Sequence, residues 1–262
     1  MSTAQTEPEL TDEQILEFEQ QIKDEEAEKI PLVCQDEPIS KLEEEFKDNE
    51  SFLKKVKNLS KSYSKIRKCR GDGNCFFRAF AFAWFESLLN SKEKYDEALF
   101  WLQSTPQLLE KGGFQQLAYE DFYEVTLEQF KKIPTNYAND PDLFLVAFQS
   151  PEISNAIVMH LRFVASAYLR IHADEYEPFL IVEMISIDEF CAAHVEAFGK
   201  ESDHLQIIAL TKALDIPVDV IYLDGSNSDQ AAVHEFWPNE NDKNSKHPLK
   251  LIYRPGHYDI VY

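Results

Sequence analysis

The sequence predicts an α+β fold in which a small β-sheet packs between helices. Two observations carry that prediction. Helical patterns fill the middle of the chain, and after Pro217 the pattern changes to short β-branched or aromatic runs separated by turn residues. Helices gathered early and strands gathered late build stacked layers, whereas alternating βαβ units would give a parallel sheet. A length of 262 residues suits one domain with a sizeable core.

Residues 1–50 hold 17 acids against 4 lysines. Residues 1–45 are therefore expected to be an acidic extension, partly disordered, ahead of a domain over 46–262. Within the extension, Thr11 and Gln14 have capping-box spacing, and Ile15, Phe18 and Ile22 recur at helical intervals between acids. This predicts an amphipathic helix that orders against a partner, with a solvated acidic tail as the plainer reading.

Residues 51–68 reverse the sign, with Lys54, Lys55, Lys57, Lys61, Lys65, Arg67 and Lys68 and no acid. Val56, Leu59, Tyr63 and Ile66 share a helical face there, so the stretch reads as a solvated helix leading into the domain. A nucleic-acid surface is disfavoured because a chain charge of −21 repels phosphates.

Helices are predicted over Tyr95–Ser104, stopped before Pro106; Tyr119–Ile133, stopped by Pro134; Pro141–Gln149; Glu152–Ile171; and Ile187–Phe198, stopped by Gly199. Asp203 caps a further helix running through Leu214. Strands are predicted over Val218–Leu223, Leu249–Tyr253 and His257–Tyr262. Apolar runs such as Leu143–Phe148 fall far short of the roughly 20 residues a membrane-spanning helix needs. The start of the chain lacks a secretory pattern, so the cytoplasm is the expected compartment, with the nucleus as a second.

Four scattered cysteines, without C-x-x-C or zinc-type histidine spacing, argue against a disulfide framework or a metal site. The question becomes which thiol is reactive. Cys75 follows Gly71-Asp72-Gly73-Asn74 and opens the apolar run Phe76–Phe85, which reads as a buried helix. A thiol at a helix amino terminus meets free backbone N–H groups and the positive end of the dipole, which favour the attacking thiolate. The same amides can hold an oxyanion. Taken alone, the motif suits a structural cysteine equally well.

The second candidate cluster is Arg254-Pro255-Gly256-His257-Tyr258-Asp259. The Pro-Gly turn puts His257 at a strand start, and residues i and i+2 of a strand project to one face. Asp259 can therefore orient the imidazole while its other nitrogen faces a thiol. Cys34 lies among acids, Cys69 has no helix start and Cys191 falls within a helix, so these thiols are weaker candidates. His204 has Asp203 adjacent, but neighbours one apart on a helix do not face each other.

Asp72–Ala79 resembles the nucleophile motif of the ovarian-tumour (OTU) class of deubiquitinating cysteine peptidases. Tyr253–Asp259 resembles the histidine motif of its otubain branch, and Lys200–His204 with Ile207–Leu210 is otubain-like as well. The similarity runs from about Leu53 to Tyr262. It implies a papain-like fold, hydrolysis of ubiquitin isopeptide bonds without a cofactor, a triad of Cys75, His257 and Asp259, and Asp72 in the loop shaping the oxyanion site.

The resemblance also implies ubiquitin and polyubiquitin chains as partners of a monomer. The chains would be of the compact, proteasome-targeting type, and ubiquitin-conjugating enzymes would be further partners. A second reading is a regulator that blocks those enzymes without cleavage. In otubains with a long extension that segment contributes a proximal ubiquitin site, which would use Ile15, Phe18 and Ile22. Distal-ubiquitin contacts are expected at Val195, Glu196, Lys200 and Pro238, with Phe236 and Trp237 as an exposed pair between them in kind though not in detail of sequence.

Overall fold

The computed structural model describes residues 29–181, 184–226, 228–239, 241, 243 and 246–262. Ile15, Phe18 and Ile22 lie outside the described residues. Among the described residues six strands form one sheet: β1 (Val33–Pro38), β2 (Lys65–Cys69), β3 (Val218–Tyr222), β4 (Ala232–Phe236), β5 (Leu249–Arg254) and β6 (His257–Val261). Their order is β1-β2-β6-β5-β3-β4, and β3 runs parallel to β5 while the other pairings are antiparallel.

The described helices are α1 (Lys41–Glu45), α2 (Glu50–Leu59), α3 (Cys75–Leu88), α4 (Lys92–Lys111), α5 (Gln116–Lys131), α6 (Pro141–Gln149), α7 (Pro151–Ile171), α8 (Ala173–Leu180), α9 (Ile187–Phe190) and α10 (His204–Leu214). Wider π-type turns occupy Ile133–Tyr137 and Cys191–Glu196. Among the described residues no helix is long and apolar enough to cross a membrane.

Alternation along the strands sends apolar side chains to both faces. Val218, Val220, Leu251 and Ile260 join the main core with α3 and α7, and Ile66, Ile221, Ile252 and Val261 pack with Leu42, Phe52 and Val56 from α1 and α2. The sheet is thus held between helices, as predicted. Twelve of the fourteen α3 residues are buried, five of them phenylalanines. Burying each such ring is worth about 1.5–3 kcal/mol, so α3 is a rigid base for whatever its first residue carries.

Several expectations change. Val33–Pro38 pairs with β2, so residues 33–45 belong to the folded domain and a boundary at 45/46 would cut the sheet. The basic stretch is not one solvated helix: α2 ends at Leu59, Ile66 lies in β2, and Val56 and Ile66 are both core residues. Lys55 is fully buried on Asp224 and Ser226.

Pro106 does not stop α4. A proline cannot bond the carbonyl four residues back, and here the Thr105 hydroxyl donates to that Leu102 carbonyl at 2.8 Å. The helix expected over Ile187–Phe198 is α9 followed by the wide turn Cys191–Glu196.

Candidate active site

Cys75 occupies the first position of α3, after the Asn74 cap, and is almost fully buried. Its backbone N–H has no intrahelical acceptor at that position. Gly73 delivers the chain at φ +71°, a left-handed conformation that glycine adopts without strain. The loop is tightly built: Asp72 Oδ1 accepts from the Asn74 N–H at 3.0 Å, and Asp72 Oδ2 accepts from buried Arg78 at 2.6 Å. Asp72 therefore shapes the loop and takes up the Asn74 amide, while the Cys75 N–H is one of the helix-start donors that an acyl oxygen can use.

His257 reaches this thiol from the sheet. Pro255 and Gly256, the latter at φ +74°, turn β5 into β6, so Arg254 pairs with His257. His257 Nε2 meets Asp259 Oδ1 at 2.8 Å, which leaves Nδ1 for the neighbouring Cys75, whose charge and hydrogen bonding raise the ring's pKa. A Cβ added at Gly71 would lie 3.3 Å from Nδ1, so the loop passes directly over the imidazole.

Asp259 is fully buried yet ionised. Burial opposes its charge, but His257, Arg254 and the Cys69 amide outweigh that cost and hold its pKa below the usual carboxylate value. Arg254 donates to Oδ2 at 2.6 Å and also pairs with Glu45 of α1, while the Cys69 N–H donates to Oδ1 at 2.9 Å. Burial pushes the His257 pKa down, but hydrogen bonds and charge from Asp259 and Cys75 dominate and raise it to about 10. Asp259 and Cys75 thus favour the charged form of the imidazole.

The other thiols do not share this setting. Cys69 is equally buried and its pKa is raised well above normal by burial and by Asp259. Cys191 sits in the core with its pKa raised to about 11 by burial, and Cys34 is raised by burial and by Asp259.

A cleft of about 240 Å³ opens beside Cys75, lined by Glu201, Asp203, His204, Tyr222, Tyr253 and Tyr258 among others. Here one expectation is corrected. Asp203 is the cap of α10, outside the helix proper, so its carboxylate reaches His204 Nδ1 at 2.7 Å even though the two are adjacent in sequence.

The expected distal-contact residues fare unevenly. Val195 and Phe236 are buried, so neither presents a side chain to a partner, and Phe236–Trp237 is not an exposed pair. Phe236 packs near the His204 ring at the end of β4. Glu196 is tied to Ser166 at 2.6 Å and Arg170 at 2.7 Å. Lys200 is exposed and Pro238 half-buried on the surface. The exposed apolar side chains nearest in sequence are Phe198 and Val233.

Sequence reasoning did not single out Arg78, Arg162 or Arg254. Arg254 had a signal, since a cation opposite His257 in the hairpin was the partner that a buried Asp259 required. Arg162 had none, because its partners lie 33 to 89 residues away.

A helix-borne thiol joined to a strand-borne imidazole and a buried carboxylate is the apparatus of a papain-like cysteine peptidase. Residues 25–262 match the profile of Peptidase C65 Otubain, and the chain belongs to the otubain family. It is 37% identical to the OVARIAN TUMOR DOMAIN-containing deubiquitinating enzyme 1 of Arabidopsis thaliana, covering 94% of this chain and 86% of that one. It is 34% identical to the ubiquitin thioesterase OTUB1 of Homo sapiens, covering 96% and 90%. A solved OTUB1 complex with ubiquitin aldehyde and UBC13~Ub superposes with a TM-score of 0.84 at 30% identity, over 96% of this chain and 98% of the other.

Proposed function

We propose that this chain is a deubiquitinase that hydrolyses the bond to the terminal carboxyl of ubiquitin by covalent catalysis at Cys75. The observation that carries the reading is the convergence of a thiol at the start of a buried helix with His257, whose ring is bonded to buried Asp259 at 2.8 Å. The thiolate attacks the carbonyl of the terminal glycine, and the Cys75 N–H stabilises the resulting oxyanion. His257 gives its Nδ1 proton to the departing lysine amine, leaving a thioester. His257 then takes a proton from water, which attacks the thioester and expels the Cys75 thiolate together with a free carboxylate. The names of the relatives, thioesterases and deubiquitinating enzymes, support the choice of ubiquitin.

The substrate proposed within that class is the compact, proteasome-targeting type of chain, which rests on otubain likeness. Ubiquitin carrying a fluorogenic carboxy-terminal amide, followed by a panel of di-ubiquitin linkages, tests both levels. Release that disappears in Cys75→Ala is expected, with the compact linkage cut fastest. Equal release by Cys75→Ala removes the whole reading, whereas equal rates on all linkages remove only the finer one. Deleting residues 1–28 should slow chain cleavage far more than fluorophore release if the extension holds the proximal ubiquitin.

A second role is favoured by the solved relatives bound to UBC13~Ub and UBCH5B~Ub. In that reading the same chain also restrains charged conjugating enzymes, and Cys75→Ala would keep that restraint while losing cleavage.

A further inference from the structure

Arg162 lies in the middle of α7 and is fully buried, a costly place for a permanent cation. Among the described residues no carboxylate is hydrogen-bonded to it. Its partners are neutral oxygens from two loops. Nε and Nη2 donate to Asn74 Oδ1 at 3.2 and 2.8 Å, and Nη2 donates to the Gly73 carbonyl at 2.9 Å. From the other side, Nη1 donates to the Val195 carbonyl at 2.9 Å and Nη2 to that of Lys200 at 2.6 Å. The Phe77 ring lies against the guanidinium, 4.7 Å away.

The two loops that Arg162 joins enclose the reacting centre. Residues 71–74 precede the nucleophile, and residues 195–200 lead into the cleft wall at Glu201–His204. They meet so closely that a Cβ on Gly73 would stand 1.9 Å from the Gly199 carbonyl oxygen, and the Gly199 N–H donates to Asn74 Oδ1 at 3.0 Å. The Cys75 N–H belongs to the peptide plane that follows Asn74. Holding the Gly73 carbonyl on one side of Asn74 and its side chain on the other sets the direction of that plane. A planar fork with five donors can hold both loops at once, which a single ammonium point cannot.

We infer that Arg162 is a positioning residue for the acyl-oxygen site: it clasps loop 71–74 to loop 195–200 so that the Cys75 amide is aimed before substrate arrives. The inference rests on the proposed peptidase chemistry and adds a residue that touches neither substrate nor thiol.

Arg162→Lys keeps the charge and removes the fork, and Asn74→Ala removes the principal acceptor from the other end. Three quantities separate the explanations: kcat and KM on ubiquitin with a fluorogenic carboxy-terminal amide, and the rate of Cys75 alkylation by iodoacetamide. Alkylation is displacement at a saturated carbon and creates no oxyanion. Misaiming an oxyanion donor should lower kcat about 30- to 300-fold in each variant. KM and the alkylation rate should stay within about threefold, since substrate binding and the thiol–imidazole pair are left intact.

Turnover within about threefold of the parent overturns the inference, and so does an alkylation rate that falls in step with turnover, which would assign Arg162 to the fold or the thiol. Should Arg162→Lys fail to fold, Asn74→Ala decides by the same criteria. A parent protein whose fluorophore release is unchanged by Cys75→Ala would instead overturn the peptidase reading itself.

Discussion

Two histidine–aspartate pairs stand beside the same cleft, with hydrogen bonds of nearly equal length. His257 and Asp259 are 2.8 Å apart, His204 and Asp203 2.7 Å. Distance therefore does not tell the proposed catalytic pair from the other. What differs is the carboxylate: the Asp259 side chain is fully buried, whereas that of Asp203 is 84% exposed. Buried Asp259 is held by Arg254 and the Cys69 amide, so its charge acts at low dielectric on one imidazole. Asp203 shares its charge with water and is occupied as the cap of α10. A dyad is made by the shell that fixes the acid, and proximity alone does not make one.

The sharpest contrast should come from removing each imidazole. His257→Ala is expected to lower kcat by about 10⁴-fold or more, and His204→Ala by less than about fivefold, measured on fluorogenic ubiquitin. Comparable losses would make His204 a second functional base. For the acids, Asp259→Asn should cost about 10²- to 10⁴-fold in kcat because the amide can stabilise the wrong tautomer. Asp203→Asn, which can still cap α10, should change kcat by less than about twofold.

Two glycines test the loop contact by stability. Gly73→Ala puts a methyl carbon 1.9 Å from the Gly199 carbonyl oxygen at φ +71°, so it should cost more than about 3 kcal/mol in denaturant unfolding. Gly199→Ala, at φ +80° with its nearest neighbour 3.6 Å away, should cost only about 1 kcal/mol.

The remaining test is one of pH. His257 has a folded-state pKa raised to about 10, so its protonation contributes fully to stability below the unfolded value near 6.5 and is lost as pH rises toward 10. The Tm difference between the parent and His257→Gln should therefore shrink across that window. A difference that grows with pH would contradict a protonated resting imidazole.

Two halves of the proposed triad were legible because their logic is local: a cysteine at a helix start, and a strand whose i and i+2 side chains share a face; that the two halves meet came only from the otubain resemblance. The helices over Pro141–Gln149 and 204–214 were legible for the same reason, since cap and periodicity lie within one segment. β1 and β2 were not. Their sequences, Val33–Pro38 and Lys65–Cys69, mix charges into short strands, and several of those charges find partners across the sheet, as Asp36 does with Lys65 and Arg67. The edge strand β4, exposed at all but Phe236, has no apolar–polar alternation to read. Arg162 looked like any cation on a long helix, because nothing near it in sequence reveals that α7 is buried at that point.

The central claim is that Cys75, alone among four thiols, is the nucleophile that ubiquitin's carboxyl terminus reaches. Ubiquitin bearing a carboxy-terminal electrophile should give a one-to-one adduct whose peptide map places the bond on Cys75, and Cys75→Ala should form none. An adduct on Cys34, Cys69 or Cys191, or undiminished labelling of Cys75→Ala, would contradict the account.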